Sequence, residues 1–458
     1  LDPPCRISPL RGLREILGDA VEIAYAPGCD NSDGLQPLPQ DAFFRPEDAG
    51  MGVRLEYFDN PEFAGDPIAS FDVPTIGHNH TWWPEVFAPE TFSIRWSGQL
   101  TVPLAGRYAL QLTSAAPTRV VLDGECVLES GAGDEPSVVA TSVDLEADRA
   151  VDLRVEYART AEVGSLVFEL AGGYAPDPDD RLERAVELAK RCDVALVFAG
   201  MPKRFESEGA DRPHMRLPGK QDALIHAVAA ANPNTAVVIN AGAPVEMPWI
   251  DDVPAAVLAY YPGQEGGRAL ANVLTGAVNP CGRLPVTFPK RYCDNPTFVN
   301  YPGGREVRYG EGIFVGYRYY DAKDVDPLFP FGHGLSYSSF AYDDVKAPAT
   351  VNVGETAAVS VTVTNTGRTA GSEIVQLYVS DEEASLARPP KELKGFTKVP
   401  LAPGESRVVN FVLEPRDLSF YHPVGKEWTA EPGTFYILFG SSSRDIRARA
   451  SFELTSNC

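Results

Sequence analysis

The sequence lacks long apolar runs and is poor in positive charge. No stretch of 18 or more apolar residues occurs among its 458 residues, so we predict no membrane-spanning helix and no membrane partner. Only 40 Lys and Arg residues stand against 63 Asp and Glu, which gives a formal net charge of −23. A field of that sign repels phosphate backbones, so nucleic acid is not an expected partner. A neutral ligand fits this composition better.

Cysteine patterns typical of metal sites are also missing. The seven cysteines form neither a CxxC pair nor the Cys/His spacing of a zinc site, and we predict no metal. Cys281 and Cys293 flank a short proline-rich segment. If the protein works outside the cell, these two are expected to form a disulfide. The amino terminus has no signal-peptide pattern, which does not decide secretion for a processed chain.

The first half of the chain changes its hydrophobic pattern once. Residues 8–17 (SPLRGLREIL) are typical of a helix capped by Ser8, and residues 20–25 (AVEIAY) of a strand. From about 50 to 172, alternating segments such as FSIRWSGQLTV and GRYALQLTS follow one another with turn signals between them. This spacing predicts an antiparallel β-sandwich.

The second half changes its pattern again, at about residue 176 and after residue 340. Buried strands such as TAVVIN (235–240) and AAVLAY (255–260) alternate with amphipathic helices, which is typical of a mostly parallel α/β sheet. Segments such as AAVSVTVTNTG then predict an immunoglobulin-like sandwich. One helix and one strand form no core, so we expect the first residues to belong to an α/β domain that begins outside this chain.

The predicted fold class is therefore multidomain, α/β plus all-β. It combines a mostly parallel α/β sandwich domain, an inserted antiparallel β-sandwich and a carboxyl-terminal immunoglobulin-like sandwich. The boundaries we predict are 1–40 for the start of the α/β domain, 41–175 for the insertion, 176–340 for the rest of the α/β domain and 341–458 for the last sandwich.

One acidic loop directly follows a predicted buried strand. The strand covers residues 194–199, and the loop reads RFESEGADR (204–212). α/β proteins commonly place their binding and catalytic groups beyond the carboxyl ends of strands. Glu206 and Glu208 at this position indicate either a catalytic loop or an ordinary solvated acidic loop, and the residues alone leave both open.

Long motifs in three modules resemble a known family. YPGQEGGRALANVLTGAVNPCGRLPVTFPK, RYGEGIFVGYRYYD and PLFPFGHGLSYSSF resemble the carboxyl-terminal half of glycoside hydrolase family three, the β-glucosidase family. Segments such as LEYFDNPEFAGDP and IRWSGQLTVPLAGRYALQLTS resemble the protective-antigen-like β-domain that many members carry as an insertion. The last sandwich resembles the family's fibronectin-type-III-like domain. Together the three modules cover essentially the whole chain.

The resemblance implies a secreted, retaining, exo-acting β-glucosidase that acts in polysaccharide degradation and needs no cofactor. Its substrate would carry a terminal non-reducing β-D-glucosyl residue, although xylosides remain open. The motif ESEG.DR maps the general acid/base onto Glu208, beside Gly209, which allows a tight turn. Glu206, Arg212 and Phe205 are candidates for substrate binding. Glu206 would either bind the sugar or shift the charge balance beside Glu208. Arg212 would either hold Asp211 or Glu206 in place or contact sugar hydroxyls.

The family's nucleophile, an aspartate, belongs to an amino-terminal barrel for which this chain holds no comparable βα series. We therefore expect the barrel to be a second polypeptide, because half of an α/β sheet would otherwise expose an edge. On that interpretation this chain alone is inactive. The alternative is a barrel-less carbohydrate-binding or adhesion protein without hydrolytic activity.

Three aromatic residues of the inserted domain are further candidates. Trp82, Trp83 and Phe87 would either stack on the aglycone sugar and narrow the site, or belong to the core of the sandwich. The sequence leaves open the aglycone, glycosylation at Asn79 and the oligomeric state, a homo-oligomer included.

Overall fold

The computed structural model describes most of the chain, namely residues 7–31, 35–37, 42–46, 50–76, 91–133, 135–160, 168–175, 179–202, 205–208, 211–301 and 305–456. Among these residues, none of the helices has the length and apolar character needed to cross a membrane. Contacts divide the chain into two compact units. The first comprises Leu1–Ala24, Leu196–Leu217 and Asn234–Cys458, and the second Tyr25–Ala195 and Pro218–Pro233.

The second unit contains the antiparallel β-sandwich predicted from the alternating pattern. Its strands are β1 Gln36–Pro37, β2 Phe43–Arg45, β3 Gly50–Met51, β4 Val53–Phe58, β5 Ala69–Val73, β6 Phe92–Leu100, β7 Gly106–Ser114, β8 Thr118–Leu122, β9 Glu125–Ser130, β10 Ser137–Leu145, β11 Val151–Arg159 and β12 Phe168–Tyr174. One sheet has the order β1-β12-β7-β10. The other has the order β3-β2-β6-β11-β8-β9, with β4 paired to β5 and β6. Trp96 and Phe168, both almost fully buried, stack in the core with ring centroids 5.0 Å apart.

Two helices belong to the second unit, α2 Arg181–Ala189 and α3 Gln221–Ala231. The side-chain amide of Asn232, buried at the end of α3, donates hydrogen bonds to the carbonyl oxygens of Ala189 and Cys192. Ala189 is the last residue of α2 and Cys192 follows shortly after it, so these bonds add a partner for carbonyl groups at the end of the helix, where intrahelical amides run out. The two helices are therefore joined at their carboxyl ends.

The first unit contains a three-stranded sheet and most of the remaining helices. The elements are β13 Ala195–Gly200, β14 Thr235–Asn240, β15 Ala255–Leu258, α1 Pro9–Leu17, α4 Gly266–Leu274 and α5 Tyr317–Ala322. The sheet has the order β13-β14-β15, and β14 and β15 are parallel as predicted. The side chain of Ser8 accepts a hydrogen bond from the Arg11 amide, which confirms the predicted cap.

The strand predicted at residues 20–25 is wrong. Residues 18–20 form a short 3₁₀ turn, and residues 22–28 adopt no regular structure. The apolar side chains that suggested a strand are largely exposed, 47% for Val21 and 58% for Tyr25. Alternation alone does not make a strand where no neighbouring strand supplies hydrogen bonds and burial.

Helices α1 and α4 meet through glycines without room for a side chain. A β-carbon on Gly12 would lie 2.2 Å from the carbonyl oxygen of Gly267, and one on Gly267 would lie 2.1 Å from that of Ser8. The amide of Gly267 also donates a 3.0 Å hydrogen bond to the Ile7 carbonyl. The main chains therefore touch, and only glycine permits this approach.

Replacing Gly12 by Ala is expected to lower the free energy of unfolding of the first unit by about 2–3 kcal/mol, the upper part of the range for overpacking. The added methyl group would collide with backbone rather than with a movable side chain. Urea denaturation followed by circular dichroism measures the change. Gly282→Ala is the matched control, because a β-carbon at that position would have no other atom within 4 Å. Equal stability of the two variants would contradict the prediction.

The carboxyl-terminal part of the first unit is a second β-sandwich. Its strands are β16 Phe340–Lys346, β17 Thr350–Asn352, β18 Ala357–Asn365, β19 Gly371–Asp381, β20 Glu392–Leu401, β21 Ser406–Leu413, β22 Phe420–His422, β23 Glu427–Thr429, β24 Gly433–Gly440 and β25 Ile446–Thr455. The sheets β16-β18-β21 and β17-β25-β24-β19-β20 enclose the core, and β22 and β23 form a hairpin. Phe435 and Phe452 stack in that core. The predicted fold class is thus confirmed.

Buried ion pairs join this sandwich to the segment before it. Arg283 contacts Glu373 on β19 at 3.0 Å, and both side chains are nearly inaccessible, with exposures of 8% and 2%. Asp321 on α5 is 5% exposed and accepts contacts of 2.6 Å from both Lys391 and Arg444. A buried charge without a partner is energetically costly. Loss of either member of a pair is therefore expected to weaken the attachment of the sandwich to residues 283 and 321.

The predicted disulfide between Cys281 and Cys293 is wrong. Both cysteines are free thiols, as are Cys29, Cys126 and Cys192. The Cys293 thiol lies within the short turn Tyr292–Asp294 and is directed at a carboxylate oxygen of Asp294, 3.8 Å away. The turn thus gives this thiol a polar neighbour in place of a second sulfur.

Candidate active site at the edge of a three-stranded sheet

The acidic loop lies where the segments that follow three strands meet. Residues 205–208 and 211–212 come after β13, residues 241–244 after β14 and residues 259–261 after β15. The Met201 amide donates to the Asn240 carbonyl, and the Asn240 side-chain amide donates to the Tyr260 carbonyl. Since β14 and β15 are parallel, both of their carboxyl ends open onto this edge, as expected for a site in an α/β protein.

Among the described residues of the loop, Glu206 makes the most side-chain hydrogen bonds. Its Oε2 accepts hydrogen bonds from the Gly242 amide at 2.7 Å and from the Tyr261 hydroxyl. Its Oε1 accepts one from the Ala243 amide at 3.2 Å and lies 3.4 Å from the Arg212 guanidinium. The side chain is only 12% exposed. The carboxylate is therefore bound by the segments after β14 and β15 and by its own loop.

Tyr261 reaches Glu206 from an unusual turn of the main chain. The preceding residue, Tyr260, has φ of +51°, a left-handed conformation that costs a bulky residue about 1–3 kcal/mol. Partial burial and the hydrogen bond to Glu206 raise the pKa of Tyr261 to about 12. The Tyr261 hydroxyl therefore stays protonated, and a donor, throughout the neutral range.

The carboxyl end of the loop is held as well. The Arg212 guanidinium, 14% exposed, donates a 2.7 Å hydrogen bond to the Pro244 carbonyl. The neighbouring Asp211 accepts a 2.5 Å hydrogen bond from the Tyr301 hydroxyl, which raises the pKa of Tyr301. The loop is thus attached to the rest of the first unit both before and after Glu208.

Glu208 lies between these attachments and has a different environment. Its side chain is exposed, whereas the side chain of Glu206 is largely withdrawn from water. Within the described part of the chain, Glu208 takes no part in a hydrogen bond or ion pair of the kind that binds Glu206. A carboxyl in this situation is available to a ligand at the edge of the sheet.

Two glycines allow the segments to approach one another. A β-carbon on Gly242 would lie 2.8 Å from the Tyr261 ring and 3.3 Å from Oε2 of Glu206. One on Gly200, the last residue of β13, would lie 2.2 Å from the Asn240 carbonyl oxygen. The convergence of the three segments therefore requires glycine at both positions.

The predicted site residues are only partly brought together. Glu206 and Arg212 are in contact, while Phe205 packs near His214 with ring centroids 6.3 Å apart. Trp82, Trp83, Phe87, Asn79 and Gly209 lie outside the described residues. Across the residues described, no group of three or more His, Cys, Asp and Glu side chains is arranged to hold a metal ion.

Sequence reasoning offered Arg212 as a partner of Glu206, which the ion pair bears out, but it missed the partners outside the acidic loop. Gly242 lies in NAGAP and Tyr261 in YYPG, and each segment directly follows a predicted strand. This position after a strand is the one feature of the sequence that could have marked them as site residues. Which of the residues after each strand faces the acidic loop depends on the left-handed Tyr260 and on main-chain contacts between segments. The hydrophobic pattern of the sequence predicts neither the left-handed conformation of Tyr260 nor these main-chain contacts.

Two family models match the chain. The Glycosyl hydrolase family 3 C-terminal domain matches residues 2–337, and the Fibronectin type III-like domain matches residues 373–443. Beta-glucosidase B of Emericella nidulans is 38% identical over 98% of this chain and 56% of its own length. A beta-glucosidase of Rhizobium radiobacter is 37% identical, with the same coverage.

A solved structure shows the same similarity in three dimensions. The beta-glucosidase of Kluyveromyces marxianus, crystallised in complex with glucose, superposes with a TM-score of 0.88 and 34% identity. The match covers 99% of this chain and 56% of that one. The chain thus spans just over half the length of these three relatives.

Proposed function

Because the chain belongs to glycosyl hydrolase family 3, we propose that it is the part of a retaining, exo-acting β-glucosidase that carries the general acid/base. The relatives named above are beta-glucosidases, which supports the choice of substrate class. The substrate would be a β-glucoside with its terminal non-reducing glucosyl residue at the reacting bond. No metal or organic cofactor takes part in this chemistry.

In this proposal Glu208 acts twice. It first donates its proton to the glycosidic oxygen, so that the aglycone leaves as a neutral alcohol while a second carboxylate attacks the anomeric carbon. It then accepts a proton from the water molecule that displaces the enzyme from that carbon. The second carboxylate would stand about 5–5.5 Å from Glu208. We assign it to the barrel of the family, outside residues 1–458.

One observation carries the assignment: Glu208 is an exposed carboxyl at the centre of a loop whose two flanks are held. Glu206 attaches one flank to the amides of Gly242 and Ala243, and Arg212 attaches the other to the Pro244 carbonyl. A general acid must be open to the substrate and yet stay in place, because proton transfer requires hydrogen-bond distance. An ordinary solvated loop needs no such attachment.

The purified chain is expected to release no glucose from cellobiose or aryl β-glucosides, because the nucleophile and most glucose contacts would lie on the barrel. Activity should appear when a barrel polypeptide of the family is added. Glucose release, measured with each polypeptide alone and with the mixture, tests this. Turnover by the chain alone that Glu208→Ala abolishes would contradict the assignment of the nucleophile. A mixture that binds β-glucosides without cleaving them would favour a carbohydrate-binding protein.

Secretion and a role in polysaccharide degradation remain part of the proposal. The free thiols of the described cysteines remove the disulfide that would have supported an oxidising compartment. Assaying β-glucosidase activity in the medium and in washed cells of the source organism decides the location.

A further inference from the structure

We propose that Glu206 is a positioning residue, whose bound carboxylate holds the loop that presents Glu208. The inference rests on the proposed function, since it takes Glu208 as the general acid/base. It differs from both roles that the sequence suggests for Glu206, binding the sugar and shifting the charge balance beside Glu208. Two sets of contacts and one distance along the chain carry it.

The first is the way in which both oxygens of Glu206 are occupied. Oε2 accepts from the Gly242 amide and the Tyr261 hydroxyl, and Oε1 accepts from the Ala243 amide and faces Arg212. A carboxylate has about four lone-pair sites, and three of them accept hydrogen bonds here while the 3.4 Å ion pair with Arg212 lies beside Oε1. Little capacity is left for sugar hydroxyls.

The second is the sharing of one segment between Glu206 and Arg212. Glu206 binds the amides of residues 242 and 243, while Arg212 donates to the carbonyl of Pro244. The segment after β14 is thus held through both its donors and an acceptor. Because Glu206 and Arg212 also form an ion pair, the two flanks of the acidic loop are fastened to each other as well as to this segment.

The third is the short distance along the chain from the anchor to the acid. Only one residue, Ser207, lies between Glu206 and Glu208, so their α-carbons are at most about 7 Å apart. Movement of the anchor is therefore passed directly to Glu208. A misplacement of about 1 Å can cost a catalysed reaction about 10²-fold.

Glutamine at position 206 would disturb this arrangement without changing the size of the side chain. Its amide nitrogen is a donor, so one of the sites that now accept would face another donor, a Gly242 or Ala243 amide or the Arg212 guanidinium. Arg212 would also lose its charged partner. The loop should then be held by fewer bonds while the peptide chain stays intact.

Glu206→Gln, tested in the enzyme that contains this chain, is expected to lower kcat/KM for cellobiose by about 10–100-fold, within the range for a misplaced catalytic group. The loss should fall on kcat and be at least fivefold smaller for an activated aryl glucoside, whose leaving group needs little protonation. Tyr261→Phe removes one hydrogen-bond donor to Glu206 and keeps the other contacts. Its kcat for cellobiose should therefore fall by less, again with a smaller loss for the activated aryl glucoside.

Glu405→Gln is the matched control. Glu405 lies in the last sandwich, where it likewise accepts a hydrogen bond from a backbone amide, that of Ala402, and pairs with an arginine, Arg407.

Amide hydrogen exchange supplies a readout independent of activity. In Glu206→Gln, exchange of the Gly242 and Ala243 amides should quicken at least tenfold, and in Glu405→Gln it should not change. Unchanged exchange at these two amides, equal losses for both leaving groups, or a change confined to KM would each overturn the positioning role. Normal cellobiose hydrolysis by Glu208→Gln would instead show that the proposed function itself is wrong.

Discussion

Replacing Glu208 by Gln is expected to slow the hydrolysis of cellobiose-like substrates by about 10²–10⁴, the usual contribution of general acid/base catalysis. A sugar leaving group departs as a poor anion unless it receives a proton, and Gln cannot supply one. Activated phenols leave without that help, so the glycosylation step should lose less with them. Steady-state rates measured over a series of leaving groups show the difference.

Azide provides a second check on the same variant. The anion attacks the glycosyl-enzyme without needing a base, so it should accelerate deglycosylation in Glu208→Gln and yield a glucosyl azide. Glu427→Gln makes the same chemical change at an exposed carboxyl of the hairpin β22–β23 and should behave as wild type. Near-normal rates on poor leaving groups without azide rescue would mean that residues 205–212 form only an acidic loop.

Replacing Glu373 by Gln is expected to have the largest effect on stability, about 3–5 kcal/mol in the free energy of unfolding. Glu373 is 2% exposed and faces Arg283 at 3.0 Å, so the substitution leaves a buried guanidinium without a counter-charge. Most of the expected decrease in the free energy of unfolding is the cost of burying that unpaired charge. Urea denaturation, monitored on the transition of the carboxyl-terminal sandwich, measures it.

The double variant Arg283→Met/Glu373→Met separates the two contributions to this energy. Removing both charges eliminates the unpaired guanidinium, and such apolar replacements are often close to neutral. The double variant should therefore regain most of the stability lost in Glu373→Gln. A double variant as unstable as the single one, or a single variant as stable as wild type, would show that the ion pair has little influence on this attachment.

Much of the fold follows from patterns with a direct physical cause. TAVVIN (235–240) is a strand with the predicted bounds, because a continuous apolar run suits a strand inside a parallel sheet. Ser8 and Pro9 predict the start of α1, since the capping side chain and the fixed φ of proline act locally. AVEIAY has a similar apolar character, but its structure depends on a neighbouring strand, which local pattern does not report.

The candidate site could be predicted only in its acidic residues. Glu206 and Glu208 come directly after a buried strand, and the family resemblance singles out Glu208. The sequence does not distinguish their environments, because the burial of Glu206 is due to Gly242, Ala243 and Tyr261, which lie 36, 37 and 55 residues away. Contacts between residues so far apart in the sequence form only when the order of the strands in the sheet brings them together, and local sequence does not specify that order.

The same separation has a consequence for the order of folding. Every bond that Glu206 makes outside its own loop closes a stretch of at least 36 residues, and the entropy of such closures is lost before the bond is gained. The loop cannot be ordered until β14 and β15 have placed their following segments beside it. We therefore expect Glu208 to reach its position late during folding, after the strands of the sheet have formed.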